Sequence, residues 1–137
     1  MSFTNFLAAE LLDHLFTDGA YSPAATLYVG LSSTTPAEDG TNVTEPSAGS
    51  YARVAVTATE MDAATVADPS VKDNGSVLTF PTATADWLVA ADLTHFVLYD
   101  LITAGNLLAF GALTVVKPVT NGDTASFAAG DFSFTLD

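Results

Sequence analysis

The sequence predicts a mainly β fold, in which an N-terminal α-helix is followed by an antiparallel β-sandwich or barrel-like domain. Apolar residues near the N-terminus recur at spacings of three and four, as on one face of a helix, and strict alternation replaces this pattern after Pro23. Six or seven short strands with turns about every 8 to 15 residues are typical of antiparallel sandwiches and barrels. Without a fixed repeat or a linker, we expect one domain over residues 1–137, with a helical segment (1–19) and a β segment (20–137).

The N-terminal segment predicts a helix over residues 3–17. Ser2 or Thr4 can cap its first turn, and Gly19 suits a left-handed C-cap. An apolar stripe of this kind must be buried either across the chain's own sheet or against a neighbouring subunit, and the sequence favours neither. The stripe consists of Phe3, Phe6, Leu7, Leu11, Leu15 and Phe16, with Glu10, Asp13 and His14 expected on the other side.

The chain after the helix predicts strands that are short and alternate between apolar and polar positions. Leu27, Val29 and Leu31 share one face of a strand at residues 26–32, and the same period returns at residues 51–59. Further strands are expected at residues 76–80, 93–100, 107–114, 124–128 and 131–136.

Three short segments predict the turns between these strands. Asn74 and Gly75 indicate a tight turn, because this pair is typical of hairpin connections. Residues 104–106 (Ala-Gly-Asn) predict a turn that joins the two strands around it as a hairpin, and residues 121–123 (Asn-Gly-Asp) predict another turn.

A polar stretch at residues 33–50 interrupts the strand pattern. It is rich in Thr, Ser, Gly, Pro and acidic residues, and it lacks any apolar period. Connections of this length are uncommon in compact domains unless they are functional or mobile, so we expect one of these two roles.

Charge excludes several functions. Among 137 residues, 16 are acidic and only Arg53, Lys72 and Lys117 are basic, which gives a formal net charge of -13. Nucleic acids and anionic membranes are bound through Lys and Arg, so neither is an expected partner. No apolar run approaches the roughly 20 residues that span a bilayer, and the N-terminus lacks the basic flank of a signal peptide. We therefore expect a soluble chain made in the cytoplasm.

The inventory of reactive residues predicts no enzyme. There is no cysteine, so thiolate metal sites and cysteine nucleophiles are excluded. No Gly-x-Ser-x-Gly motif surrounds a serine, and His14 and His95 are expected to be structural. The acidic stretch from Glu38 to Glu45 offers oxygen ligands but lacks the register of a calcium loop, so a solvated loop is the preferred interpretation. No catalytic, cofactor-binding or metal-binding residue is predicted, and no cofactor.

The order of the sequence blocks resembles that of a group of small virion structural proteins of tailed bacteriophages. The resemblance extends over nearly the whole chain, and its blocks are specific in combination. They are residues 27–36 (LYVGLSSTTP), 49–56 (GSYARVAV), 80–87 (FPTATADW), 94–100 (THFVLYD), 105–113 (GNLLAFGAL) and 127–131 (FAAGD).

Proteins of this group are often labelled tail fibre proteins, and some look like capsid decoration (cement) proteins. Because this chain is short and non-repetitive, the resemblance favours a decoration protein on the outer surface of the capsid in the virion. Such a protein binds the major capsid protein at three-fold or quasi-three-fold sites, commonly as a homotrimer, and stabilises the mature head. The expected contact residues lie in the N-terminal segment and the polar stretch: Phe3, Phe6, Leu7, Thr34, Thr35, Pro36, Glu38, Asp39 and Glu45.

Two other functions stay open at this point. A tail or baseplate component, or an adaptor at the base of a fibre, would be present in few copies per virion. A carbohydrate- or receptor-binding β-sandwich would need Trp87 and Tyr51 to be exposed stacking platforms.

Overall fold

A computed structural model describes residues 1–16, 19 and 21–136. It is mainly β with one N-terminal helix, as predicted, and its strands pair antiparallel throughout. Within the described residues, no helix is both long enough and apolar enough to cross a bilayer. In chain order the elements are β1 (Ser2–Phe3), α1 (Asn5–Leu15), β2 (Leu27–Ser32), β3 (Val54–Val56), β4 (Ser70–Asp73), β5 (Leu78–Thr79), β6 (Leu93–Tyr99), β7 (Leu107–Lys117), β8 (Ser126–Phe127) and β9 (Ser133–Leu136).

The largest layer is a five-stranded sheet in the order β1-β7-β6-β2-β3. Its centre is the β6–β7 hairpin, in which Val97 lies opposite Phe110. The hairpin turns at Ala104 and Gly105, whose φ angles of 53° and 81° lie in the left-handed region that glycine tolerates best. The hairpin predicted from residues 104–106 is therefore confirmed.

The core lies on one face of this sheet. Val29 and Leu31 of β2 and Leu98 of β6 are buried there against two ribbons, β4–β9 and β5–β8. Edge-to-face aromatic pairs fill the space between the layers, for example Phe96 on Phe132 with ring centroids 5.0 Å apart. The facing layer thus consists of two separate two-stranded ribbons rather than a second full sheet. In the described part of the chain, β1 and β3 are the edges of the large sheet, which does not close into a barrel.

Both ends of the predicted helix differ from the structure. Residues 2 and 3 form β1 because they pair with Phe110 and Ala109 of β7, so the helix begins only after Thr4. It ends at Leu15, where the N–H of Phe16 donates to Leu12. Gly19 does not adopt a left-handed φ, and the predicted C-cap is wrong.

The chain bends at residues 75 and 76, where the sequence predicts a tight turn. This bend does not close a hairpin, because β4 and β5 pair with β9 and β8 rather than with each other. Asn74 is instead buried, and its amide donates to the carbonyls of Ser76 and Ala128 and accepts from the N–H of Phe132, each at 2.8 Å. Strand β4, which was not predicted, follows from its pairing with β9.

Candidate interaction surface

The N-terminal segment and the polar stretch predicted as a contact surface lie side by side. The N–H of Asn5 donates to the carbonyl of Glu38 at 2.8 Å, which joins the start of α1 to residues 33–50, hereafter the long loop. Thr4 anchors the same junction to β7. Its N–H donates to Leu108, and its buried hydroxyl donates to Leu107 at 2.6 Å while accepting the capping bond from Leu7.

The long loop contains no helix or strand, yet it is folded back on itself. The hydroxyl of Thr34 donates to the carbonyl of Asn42 at 2.6 Å, and the Asn42 side chain donates to Thr35 at 2.7 Å. Asn42 adopts a φ of 59°, a region that asparagine enters more readily than most residues. Val43 packs on the face of the large sheet that points away from the main core. The loop therefore covers part of that second face.

One ion pair fastens the end of the long loop to the sheet. Arg53 Nε lies 3.1 Å from both carboxylate oxygens of Glu45, and Nη2 contacts Oε2. Arg53 Nη1 also donates to the carbonyls of Leu101 and Ala104 at 2.8 Å, and its guanidinium lies 3.4 Å from the ring centroid of Tyr99. Both charged side chains are largely removed from water. This pair joins the loop, β3 and the β6–β7 turn.

Tyr51 extends this cluster into the sheet. Its hydroxyl donates to Glu45 at 2.7 Å and accepts a hydrogen bond from the N–H of Leu31 at 2.8 Å. The pairing of β2 with β3 stops at Val29, so the N–H of Leu31 has no partner in β3. Burial, and then the nearby Glu45 carboxylate, raise the pKa of Tyr51 far above its ordinary value. The phenol therefore stays protonated and serves as a structural donor.

Gly30 leaves the space that this cluster occupies. A Cβ at residue 30 would collide with the Glu45 carboxylate, and it would lie 2.8 Å from the Tyr51 hydroxyl and 3.1 Å from Val97. The absence of a side chain at this one position of β2 lets the Glu45–Tyr51–Arg53 cluster rest directly on the sheet.

The predicted contact residues are divided between the interior and the surface. Phe6, Thr35, Glu38 and Asp39 are exposed, and the Asn5–Glu38 hydrogen bond places the start of α1 beside this part of the long loop. The other five serve the fold: Phe3 packs against the core cluster, Leu7 is half-buried, Pro36 is buried, Thr34 is hydrogen-bonded within the loop, and Glu45 pairs with Arg53. As an attachment surface, the exposed group stays a prediction.

Helix α1 carries apolar residues on two sides. Leu7, Glu10 and Leu11 are half-buried toward the rest of the chain. Leu15 and Phe16, which were predicted on the same stripe, are instead 69% and 71% exposed. Leu12 is exposed with them, although it was assigned to no face from the sequence. Its spacing of three and four residues from Leu15 and Phe16 could have indicated that the three side chains lie together.

The remaining reactive side chains are committed to local contacts. His95 Nδ1 lies 2.8 Å from the Thr94 hydroxyl, and burial lowers its pKa. Asp39, in the acidic stretch considered for calcium, accepts hydrogen bonds from Thr41. In the part of the chain that the structure describes, no group of three or more His, Cys, Asp or Glu residues is placed to hold a metal ion.

The two rings considered for carbohydrate stacking are not surface platforms. Trp87 is buried, and its indole N–H donates to the carbonyl of Gly49 at 3.0 Å. Tyr51 packs edge-to-face against it with ring centroids 5.1 Å apart. These two residues therefore do not provide the exposed stacking platforms that the carbohydrate-binding alternative requires of them.

A comparison with known protein families gives one match over nearly the whole chain. The family described as "Podophage GP4 fiber I protein gp80" matches residues 2–135. The matched region begins at β1 and extends into β9, so it includes both halves of the surface described above. No curated protein matches the chain.

Proposed function

The chain belongs to the podophage GP4 fiber I protein gp80 family, and from this premise we propose that it is a structural component at a fibre of a tailed-phage virion. The observation that carries the proposal is the extent of the match, which takes in the whole β architecture and α1 rather than one motif. We propose further that the chain acts by binding and catalyses no reaction.

The shape of the chain supports an adaptor rather than a fibre shaft. A shaft is elongated and usually repetitive, whereas this chain has no repeat and packs one main core cluster and a smaller one on the two faces of one sheet. The exposed group at the junction of α1 and the long loop (Phe6, Thr35, Glu38 and Asp39) supplies an apolar ring beside two carboxylates. A partner surface with an apolar pocket and a basic rim would complement it.

Capsid decoration is the second candidate function, and the net charge of -13 favours it. A decoration protein must stay soluble at high copy number and avoid the packaged genome, and a strongly acidic chain meets both needs. In this case the partner is the major capsid protein, and a homotrimer at three-fold or quasi-three-fold sites would gain avidity from its repeated contacts. Binding only to the mature shell would stabilise that state by linkage.

Location and copy number in purified virions test both candidates. We expect this chain to be far less abundant than the major capsid protein, and labelled antibody or cryo-electron microscopy should place it at a fibre. A mass ratio near unity, with density over the shell, would replace the fibre assignment with capsid decoration. Absence from purified virions would contradict both.

A surface variant tests the attachment site. Phe6→Asp combined with Glu38→Lys changes two exposed side chains of the exposed group, so the fold should persist while incorporation into virions is lost. Val66→Asp is the matched control, since Val66 is fully exposed elsewhere in the molecule. Normal incorporation of the double variant, or equal loss in the control, would contradict this choice of surface.

A further inference from the structure

Helix α1 carries apolar side chains on two sides, together with the polar residues Glu10, Asp13 and His14. Its inner side, with Leu7 and Leu11, lies toward β7, where the helix makes its contacts with the sheet. Its outer face presents Ala8, Leu12, Leu15 and Phe16 to solvent. Exposed apolar clusters on a soluble chain mark interaction sites. A partner for this outer face is therefore to be expected.

The same molecule has a surface groove that is apolar, like the outer face of α1. The groove, of about 330 Å³, opens between the large sheet and the β4–β9 ribbon. Although the chain has 16 acidic residues, none is among the described residues that line it, and its only charged side chain is Lys72. Its apolar lining includes Phe3, Leu27, Val56, Met61, Phe134 and Leu136.

We propose that the outer face of α1 of one copy binds in this groove of a second copy. The proposal goes beyond the virion assignment and does not depend on it. A symmetric contact between two α1 helices would leave the groove open, whereas helix-in-groove binding covers both apolar surfaces with one kind of contact.

The apolar area that such an interface would bury agrees with this arrangement. From their exposed fractions, Leu12, Leu15 and Phe16 offer about 370 Å² on the helix side. A copy whose helix and groove are both occupied would bury about twice that area, close to the roughly 800 Å² per partner of stable interfaces. A helix-to-helix contact alone would fall well short.

Charge also favours this pairing. Two copies with a net charge of -13 repel each other, so they can approach only through surfaces that lack acidic groups or pair them. Asp13 is exposed on α1 beside the outer face. Lys72 lines the groove, where its ammonium donates to the carbonyl of Asp62 at 2.7 Å and makes no ion pair with any described residue. The proposed contact brings Asp13 of one copy near Lys72 of the other.

This interface is heterologous, since each copy uses two different surfaces. Such interfaces close into rings or continue as filaments. A ring of three copies would be the homotrimer expected from the sequence.

Complementation between two variants is the decisive experiment. Leu12→Gln with Leu15→Gln removes the apolar helix face, and Leu136→Asp places a charge in the groove. By sedimentation velocity the wild type should be oligomeric, and each variant should sediment as a folded monomer, with at least a tenfold higher dissociation constant. Mixing the two should yield a species of two chains and nothing larger, because one intact helix and one intact groove remain. Val66→Gln, with its exposed apolar side chain elsewhere, should assemble like the wild type.

A charge exchange tests the orientation of the contact. Asp13→Lys and Lys72→Asp should each weaken assembly, and the double variant should regain at least half of the loss. A monomeric wild type at high concentration would overturn the proposal. Folded variants that fail to associate on mixing would also overturn it, and a Leu136→Asp variant that still assembles by itself would indicate a helix-to-helix contact instead. Loss of assembly with normal location in virions would leave the fibre assignment intact.

Discussion

The long loop and helix α1 are neighbours, but they are held to the rest of the chain in opposite ways. The loop has no regular secondary structure, and yet the buried Glu45–Arg53 pair, the Tyr51 hydroxyl and internal hydrogen bonds hold it in place. The helix has regular backbone hydrogen bonds, and yet none of its side chains is buried. Regular structure and firm attachment are therefore separate properties in this molecule.

The two segments differ in the kind of side-chain contact that they make. A buried, hydrogen-bonded ion pair is strongly destabilising to break, because the remaining charge is left without a partner. An exposed apolar side chain contributes almost nothing to the stability of the free chain. The loop should thus be the sensitive region in unfolding experiments, and α1 the sensitive region in assembly experiments.

The largest effect should come from Glu45→Ala, which leaves Arg53 buried without its partner. We expect a loss of about 3 kcal/mol in the free energy of unfolding, measured by chemical denaturation. Glu38→Ala removes an exposed carboxylate from the same loop and should change stability by less than about 0.5 kcal/mol. Equal effects of the two variants would contradict the anchoring role of the ion pair.

A smaller loss should follow from Gly30→Ala, which changes the sheet rather than the loop. The new Cβ collides with the Glu45 carboxylate and presses on the Tyr51 hydroxyl, so we expect about 2 kcal/mol of destabilisation. In the Glu45→Ala background the same substitution should cost much less, since its principal obstacle has gone. Additive losses of stability in this double-mutant cycle would show that Gly30 does not act through its contact with Glu45.

Local patterns predicted the parts of the fold that depend on local chemistry. The β6–β7 hairpin, strand β2 and the Thr4 cap are confirmed, because alternation, a turn signal and a capping hydroxyl each act within a few residues. The start of α1 and strand β4 were missed since both depend on distant partners, β7 and β9. The structural role of Asn74 beyond its turn was missed for the same reason: its buried amide bonds with residues 128 and 132.

The surface was less predictable than the fold. The resemblance to tailed-phage virion proteins is confirmed by the family match. Composition indicated an acidic loop, but it could not show that Glu45 lies largely inside the protein with Arg53, since that depends on the space at Gly30. The helix stripe was assigned to one face because its apolar residues recur at spacings of three and four, and only the tertiary contacts separate the inner side of α1 from its outer face.

The attachment of α1 should depend mainly on one residue, Thr4. Thr4→Ala removes the capping acceptor and the buried donor to Leu107, and we expect a loss of about 1 kcal/mol in global stability. Amide exchange in α1 should accelerate up to about fivefold while exchange at Thr44 stays unchanged. Thr4→Ser retains both hydrogen bonds and is the control. Acceleration throughout the long loop would show that the two regions are held as one unit.

The smallest effect concerns the exposed tip of the loop, where Asp39 accepts hydrogen bonds from the hydroxyl and N–H of Thr41. These bonds hold the pKa of Asp39 below its ordinary value. Because the folded-state pKa is the lower one, the contribution to stability is complete above the unfolded-state pKa and is lost as the pH falls through the folded-state pKa.

Carboxyl chemical shifts followed by NMR should show Asp39 titrating below the normal aspartate range. Thr41→Val removes the stronger of the two bonds and should move this pKa upward, toward its ordinary value, while Asp123, which Thr120 holds in the same way, keeps its lowered pKa. An unchanged Asp39 titration in Thr41→Val would mean that the tip is not ordered by its own hydrogen bonds. The contrast between an anchored loop and a loosely attached helix would then apply only to the Glu45 end of the loop.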